Sequence, residues 1–439
     1  MLKIPRCCYH PKFLPAAATV VALLLYGGLS VVMWTTFYFR SWDLGIFTQL
    51  VSKYAALQAP IVDIKGPGYN LWGDHFHPIL MLLAPFYKIA PSAFTLLVAQ
   101  AVLFSLSAWA VTSLAAERLG RRGGGLVAFG YIFSWGLLNA VTSEFHEIAF
   151  GVPLIAWGLV SWMRGHKIAA VICIGLLVFV KEDLGLMVVM FGIAVWMRNR
   201  KDIRIALGLI AWGGLWALLA IKVFLPAFSG EGTYEYTDNI ATGAALTDGL
   251  SEKIGVIGFL ILSAGVIGVR SEWMLLMIPT LLWRFTGSVF TYWSLDYHYS
   301  AVLMPIAALS LVDAARGHRV RYRILAPAIT VAVVLAAMPY TRLDLFWEAD
   351  EQRVDGAPLV AQASQYDSVV TDLRMLSHLV PVTHVYWRGT VGSAQPDAAL
   401  LRPADLDERS VEKWAEVNLG GQWITVYSHA GYEIAVAED

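Results

Sequence analysis

Residues 168–197 read IAAVICIGLLVFVKEDLGLMVVMFGIAVWM, an apolar run long enough for two short membrane spans and broken in the middle by Lys181-Glu182-Asp183. A chain that only had to turn there would be served by Gly, Asn or Pro, which turn at little steric cost. Ionised groups beside a bilayer are expensive, so such a triplet is either a self-neutralising turn or a place where charge is used. The same pattern recurs at the ends of other apolar runs, in Trp42-Asp43-Leu44-Gly45, Asp74-His75-Phe76-His77-Pro78, Glu144-Phe145-His146-Glu147 and Asp296-Tyr297-His298-Tyr299. Five clusters of this kind point to an active site at one face of a membrane rather than to a lipid-facing shell.

Composition agrees. Of 439 residues 57% are apolar and only 15% charged, which excludes a water-soluble domain of ordinary make-up. A net charge of -1 gives no reason to expect nucleic acid as a partner. The cysteines Cys7, Cys8 and Cys173 cannot supply a disulfide scaffold. Residues 13–38 are too long for a secretory signal and lack a small-residue cleavage site, so they are expected to remain as a first span.

Apolar runs at 14–37, 92–116, 125–142, 148–163, 168–180, 184–197, 205–225, 255–270, 273–290, 299–315 and 324–340 predict a mainly α, polytopic transmembrane bundle of about eleven spans. Lys and Arg are retained on the cytoplasmic side. Lys3, Arg6 and Lys12, then Arg118, Arg121 and Arg122, then Arg164 and Lys167, then Arg198, Arg200, Lys201 and Arg204, then Arg270, then Arg316, Arg319, Arg321 and Arg323 all fall there if the amino terminus is inside. The five clusters then lie outside, with loop 226–253 and everything after Tyr340. Residues 78–90, bounded by Pro78 and Pro91, are too short to span and are expected as a re-entrant or interfacial helix on that outer side. No internal repeat is visible.

Beyond Arg342 polar and apolar residues alternate. Strands are expected at 359–361, 368–370 and 423–427 and helices at 375–379 and 411–416, a small extracytoplasmic α/β domain over 343–439 following a membrane domain over 1–342.

Asp43 is either a general base, taking a proton from an incoming hydroxyl at the membrane surface, or an N-cap for a helix over 44–54. His75 and His77 on an extended segment share a side, with Asp74 adjacent, which suits a metal, a phosphate or a sugar hydroxyl. With Glu144, His146 and Glu147 they leave a divalent metal ion open, held by Asp74, His77 and His146, although no His-Glu-x-x-His spacing supports one. Lys181 suits a phosphate, with Glu182 and Asp183 orienting it; Arg284 is a lone cation in an apolar run, able to neutralise a phosphate or to pair with Asp296. Tyr292, Trp293, Tyr297 and Tyr299 read more readily as an interfacial belt than as a sugar platform.

The stretches WDLGIFTQ (42–49), GDHFHPILMLLAP (73–85), LVAQ (97–100), Phe145-His146, KEDLGL (181–186) and HYSAVLMP (298–305) resemble the polytopic membrane family known as domain of unknown function 2079, over nearly the whole chain. That family in turn resembles the C-type (GT-C) membrane glycosyltransferases, which share a first span, a long outer loop with a catalytic acid near its start, and a re-entrant outer helix. The resemblance implies a plasma (inner) membrane enzyme that moves a sugar from a polyprenyl-phosphate donor to a glycan, lipid or protein acceptor of the cell envelope. By it, Asp43 matches the catalytic acid and Lys181 fits the donor phosphate. The growing charge of a leaving phosphate gives Arg284 and His298 a role beside Lys181. Asp74, His75, His77, Glu144, His146, Glu147, Glu182, Asp183, Asp296 and Tyr299 would bind or orient substrate. The rival is a transporter or flippase, whose ionisable groups belong near the bilayer midplane, often in symmetric halves.

Overall fold

On the helix Phe13–Thr36 (α1), Ala18, Ala22, Tyr26, Leu29 and Met33 recur at steps of three and four and are buried, while Phe13, Val20, Leu24 and Val31 on the other side are exposed and equally apolar. A helix apolar all round, with one face packed and the other open, is a helix made for lipid. The computed structural model describes residues 12–39, 41–233, 247–316, 322–348, 351 and 353–438. Lys3, Arg6, Cys7, Cys8, Arg319 and Arg321 lie outside the described residues.

Among the described residues, four helical stretches are long and apolar enough to cross a membrane: Phe13–Thr36, Ala93–Thr142, Arg200–Phe228 and Tyr322–Glu348. Shorter apolar helices cover Pro78–Ile89, Ile148–Arg164, Lys167–Phe179, Leu184–Arg198 and Leu303–Ala315. Within the second stretch the helix Ala93–Ile132 is broken at Gly120, whose φ of 78° is left-handed. Its two arms double back on each other: the hydroxyls of Ser107 and Tyr131 hydrogen bond at 2.7 Å, and Gly124 lies against Ala116 so closely that a Cβ would clash. The runs at 168–180 and 273–290 are not single α-helices. The first is Lys167–Gly175 followed by a tighter turn over Leu176–Phe179, the second a 3-10 segment Glu272–Met277 leading into Ile278–Thr286.

The carboxyl-terminal part folds as a five-stranded sheet in the order β2-β1-β3-β5-β4, with β1 Ser368–Thr371, β2 His384–Trp387, β3 Ala398–Leu401, β4 Trp423–His429 and β5 Tyr432–Ala437. β1 lies parallel to both β2 and β3, while β5 is antiparallel to β3 and β4. Ala430 and Gly431 join β4 to β5 with positive φ at both, the turn that matches the twist of a hairpin. The stretch 359–361 is not a strand but part of the helix Ala357–Ala363: Pro358 favours a helix start and Leu359 and Ala363 share the buried face.

One face of the sheet, through Val369, Val385, Leu400 and Ile434, joins the core of the bundle; the other, through Val370, Leu401 and Ala435, packs on the helix Val411–Leu419. Docking is specific. His378 is sandwiched between Trp34 and Phe37 with ring centroids 3.8 Å apart on each side, and Gln49 Nε2 donates to the Val385 carbonyl at 3.1 Å. The sheet is thereby held at the end of the bundle where α1 terminates.

Candidate active site

α1 ends at Phe37 with a left-handed φ of 54°, and the chain re-enters a helix at Asp43–Ala55. Asp43 opens that helix without capping it, so its carboxylate is available to other partners. It is 31% exposed, and Oδ2 lies 3.5 Å from His146 Nε2. Ser41, for which the sequence held no signal, organises this corner: its hydroxyl accepts from the Asp43 N–H at 3.2 Å and donates to Glu144 Oε2 at 2.7 Å.

His146 is buried and stacks on His298, ring centroids 3.5 Å apart. Each histidine follows a non-glycine residue in left-handed conformation, Glu144 (φ 67°) two residues earlier and Tyr297 (φ 65°) one earlier, strain that the surrounding structure must hold in place. Gln100, buried in an apolar run, fixes the first of these loops: Nε2 donates to the Glu144 carbonyl at 2.8 Å and Oε1 accepts from the His146 N–H at 3.4 Å.

Electrostatics separate the two imidazoles. Burial works against charge on His146, but the Asp43 carboxylate, with Glu147 and Glu144, overcomes it and raises its pKa. On His298 burial acts unopposed, helped by the charges of His146, Lys181 and Arg284, and holds the ring neutral. Burial likewise pushes Asp43 upward, and the charged His146 outweighs it, so the carboxyl sits below its ordinary range.

The Lys181 ammonium lies 2.9 Å from Glu147 Oε1. Burial would raise the Glu147 pKa, yet Lys181 holds it down to about 2. Glu182 clamps the loop at 75–76 beside Lys181: Oε1 takes His75 Nδ1 at 2.8 Å and Oε2 the Phe76 N–H at 3.1 Å. Asp183 accepts from Trp283 Nε1 at 2.9 Å and is pushed up to about 6 by burial. Asp74 pairs with Lys65 at 3.0 Å, a cation with no charged neighbour in the sequence beyond Asp63. His77 is buried and held neutral, its pKa lowered to about 4 by burial.

Arg284 is fully buried and is committed to the loop that carries His298. Nε donates to the Tyr292 carbonyl at 2.8 Å, Nη2 to the Ser294 carbonyl at 3.1 Å and Nη1 to Ser300 Oγ at 3.0 Å. Among the described residues it forms no ion pair with Asp296, whose N–H is bound by Ser294 Oγ at 3.2 Å. Tyr299 lies beneath the guanidinium, 5.7 Å from ring centroid to Cζ.

All five clusters therefore meet through at least one residue each: the Asp43, Glu144, His146 and Glu147 group touches Lys181 and His298, and Lys181 is continuous with Glu182 and its partner His75. Asp296 stands apart, positioned only through its loop. Asp74, His77 and His146 do not assemble as metal ligands, and among the described residues no group of three or more His, Cys, Asp or Glu is arranged to hold a metal ion. Two are on the loop clamped by Glu182 while the third faces Asp43.

Asp43, His146, Glu147, Lys181 and His298 thus form one connected polar group in a bundle of apolar helices, the make-up of a membrane protein. Residues 34–365 match the family described as "Predicted membrane protein (DUF2079)", and the chain belongs to that family. Its fold is that of ArnT from Cupriavidus metallidurans: the crystal structure bound to undecaprenyl phosphate aligns with a TM-score of 0.60 at 12% identity, covering 96% of this chain and 97% of that one. The apo structure aligns with a TM-score of 0.54 at the same 12% identity and the same coverage, 96% and 97%. No curated protein matches the sequence.

Proposed function

We propose that this protein is an integral membrane glycosyltransferase that moves a sugar from a polyprenyl-phosphate donor to an acceptor on the extracytoplasmic side of the plasma membrane. The observation that carries the reading is the Asp43 carboxylate, 3.5 Å from His146 and still open to solvent, on a fold shared with a protein crystallised with undecaprenyl phosphate. In the reaction, the acceptor hydroxyl oxygen attacks the anomeric carbon while Asp43 takes its proton. The bond from that carbon to the carrier phosphate breaks, and the phosphate leaves with the electron pair, inverting the centre. Lys181 is the cation for the departing phosphate, with neutral His298 able to donate a hydrogen bond.

An apolar cavity of about 520 Å³ between Lys167–Gly175 and Ile203–Leu219 supports a lipid donor. Its size is that of a ligand site, and Phe179 on its wall precedes Lys181 by two residues, which is why we place the prenyl chain there. Sidedness is supported by the basic loops, which meet away from the site in a separate network of Arg118, Arg198 and Asp313, with Arg198 Nη1 2.7 Å from Asp313 Oδ2. We place the amino terminus in the cytoplasm, residues 1–342 as the membrane domain and 343–439 as an outer domain.

Reconstituted protein supplied with a panel of polyprenyl-phosphate sugars should release carrier phosphate, and Asp43→Asn should abolish release while remaining folded and inserted. Transfer at the wild-type rate by Asp43→Asn removes it as the base. A transporter would instead expose the site to both sides in turn, so cysteines placed beside Asp43 that react from the cytoplasmic side would favour that rival.

A further inference from the structure

Two indoles from distant parts of the chain meet beside Asp43. Trp42 precedes it at the start of the helix Asp43–Ala55, and Trp387 ends β2 of the small sheet. Their rings pack edge to face, with centroids 4.5 Å apart and 64° between the planes. Each rests on the core along part of its surface and is only half-buried, so part of each residue stays in contact with water. Lys65 lies between Trp42 and Tyr69: Nζ is 5.6 Å from the first ring centroid, 5.2 Å from the second and 3.0 Å from Asp74 Oδ2. Aromatic rings, an ammonium and a carboxylate thus form one connected patch adjoining the Asp43 carboxylate.

The patch is pre-formed. Gln49 bridges its two halves: Oε1 accepts from the Ile64 N–H at 3.1 Å and Nε2 donates to the Val385 carbonyl at 3.1 Å. Thr390 Oγ1 donates to the Ile64 carbonyl at 2.6 Å, and His384 Nε2 lies 3.2 Å from Asp63 Oδ2. Gly389 lets the Trp387 ring lie over its own turn, since a Cβ there would come within 2.6 Å of the indole. The Trp387 Nε1–H is shielded from solvent and meets no acceptor among the described residues, although a buried indole donor ordinarily finds one. Rigid rings and an unspent donor, edged by charge, are features of a ligand surface.

We propose that Trp42 and Trp387 form an acceptor platform that takes a pyranose chain, with the C–H face of one sugar on the indoles and the reacting hydroxyl turned toward Asp43. A sugar ring carries C–H groups on its faces and hydroxyls around its rim, so it calls for an apolar plate with polar groups at the edge. The Lys65–Asp74 pair supplies that edge. Trp42 and Asp43 are chain neighbours, with α-carbons about 3.8 Å apart, which puts the plate within a sugar's reach of the base. The acceptor role rests on the transfer reading above; glycan binding does not.

Titration calorimetry on the full chain in phospholipid nanodiscs tests it, with maltotetraose, cellotetraose, chitotetraose and mannotetraose as probes. At least one should bind with a submillimolar Kd, and Trp387→Ala should weaken that binding about tenfold while Trp387→Phe keeps most of it. Gly389→Ala, which forces the indole or its turn aside, should weaken it as well and carries the test should Trp387→Ala fail to fold. Trp347→Ala, which removes an exposed indole on Leu345–Glu348, should leave affinity unchanged. With the bound tetrasaccharide as acceptor, Trp387→Ala should raise KM about tenfold and leave kcat nearly unchanged. No heat from any of the four at millimolar concentration, or affinity unaltered in both Trp387→Ala and Gly389→Ala, overturns the platform, and carrier phosphate still released would leave the transferase reading standing. Binding with the expected losses in a protein that transfers no sugar would sink the transferase reading alone.

Discussion

His146 and His298 stack with ring centroids 3.5 Å apart, yet their surroundings push their ionisation in opposite directions. His146 faces Asp43 and is raised; His298 is surrounded by His146, Lys181 and Arg284 and is driven down. A stacked pair in which one ring is charged and the other neutral lets the neutral ring accept or donate without adding repulsion to the site.

The state of Asp43 follows from this pair. Burial alone would raise its pKa, and His146 reverses the sign. In His146→Gln the reversal is gone, so the acid limb of the kcat/KM against pH profile should move upward, while the rate on the plateau falls about tenfold or less. The profile is read from carrier-phosphate release between pH 4 and 9. An acid limb that stays where the wild type has it would show that His146 does not set the ionisation of Asp43.

Lys181 and Glu147 should behave as a unit. Glu147 is depressed to about 2 from the ordinary 4.5, so its contribution is present above pH 4.5 and lost as pH falls toward 2. Removing one partner of a buried pair leaves the other charge without compensation, at a cost of about 3 kcal/mol. Lys181→Met should therefore lower the unfolding temperature at pH 7, Glu147→Gln added to it should restore most of that loss, and neither change should restore transfer. Thermal unfolding in detergent decides the first two points and the release assay the third. Recovery of transfer in the double variant would mean that Lys181 only neutralises Glu147.

Asp183 has the opposite sign. Its pKa is raised to about 6 from 3.8, so its favourable contribution belongs to the protonated form, is complete below pH 3.8 and is lost as pH rises through 6. Asp183→Asn keeps an acceptor for Trp283 Nε1, now 2.9 Å from Oδ2, without the buried charge. Relative to wild type the variant should gain stability on going from pH 4.5 to pH 7.5. Unfolding temperatures that differ by the same amount at both pH values would contradict the raised carboxyl.

Much of this site could be read from residue order because charge in an apolar run is conspicuous. Asp43, His146, Lys181 and Glu147 all announced themselves as ionisable groups at run ends, and they meet. Partnership was not legible: that Glu182 would hold His75 and the Phe76 N–H, and that Arg284 would be spent on carbonyls of the loop at 292–294, depends on how segments more than a hundred residues apart, or folded back on each other, come into register. Gln100 could have been found, as the one amide in an otherwise apolar stretch; Ser41 could not, since a serine in a loop carries no periodic signal. In the fold, alternation found β1 and β4, whereas the all-buried β3, Ala-Ala-Leu-Leu, has no alternation to show, and Leu359 and Val360 misled because β-type residues also pack on a one-turn helix face.

The apolar cavity lies between Lys167–Gly175 and Ile203–Leu219. Two glycines open it: a Cβ on Gly208 would meet no atom within 4 Å, and one on Gly175 would meet only the edge of Trp212, at 3.6 Å. A Cβ at 208 therefore meets no clash, and the rest of a leucine side chain there would take its space from whatever occupies the cavity. If a prenyl chain lies there, Gly208→Leu should raise KM several-fold for a long-chain polyprenyl-phosphate donor and leave kcat nearly unchanged, because the added groups oppose binding of a part of the donor remote from the reacting bond. A donor carrying a three-isoprene chain, too short to run the length of the cavity, should show little of the effect. Equal KM increases for both donors would mean that the substitution perturbs the Lys181 turn through Phe179, and that the lipid lies elsewhere.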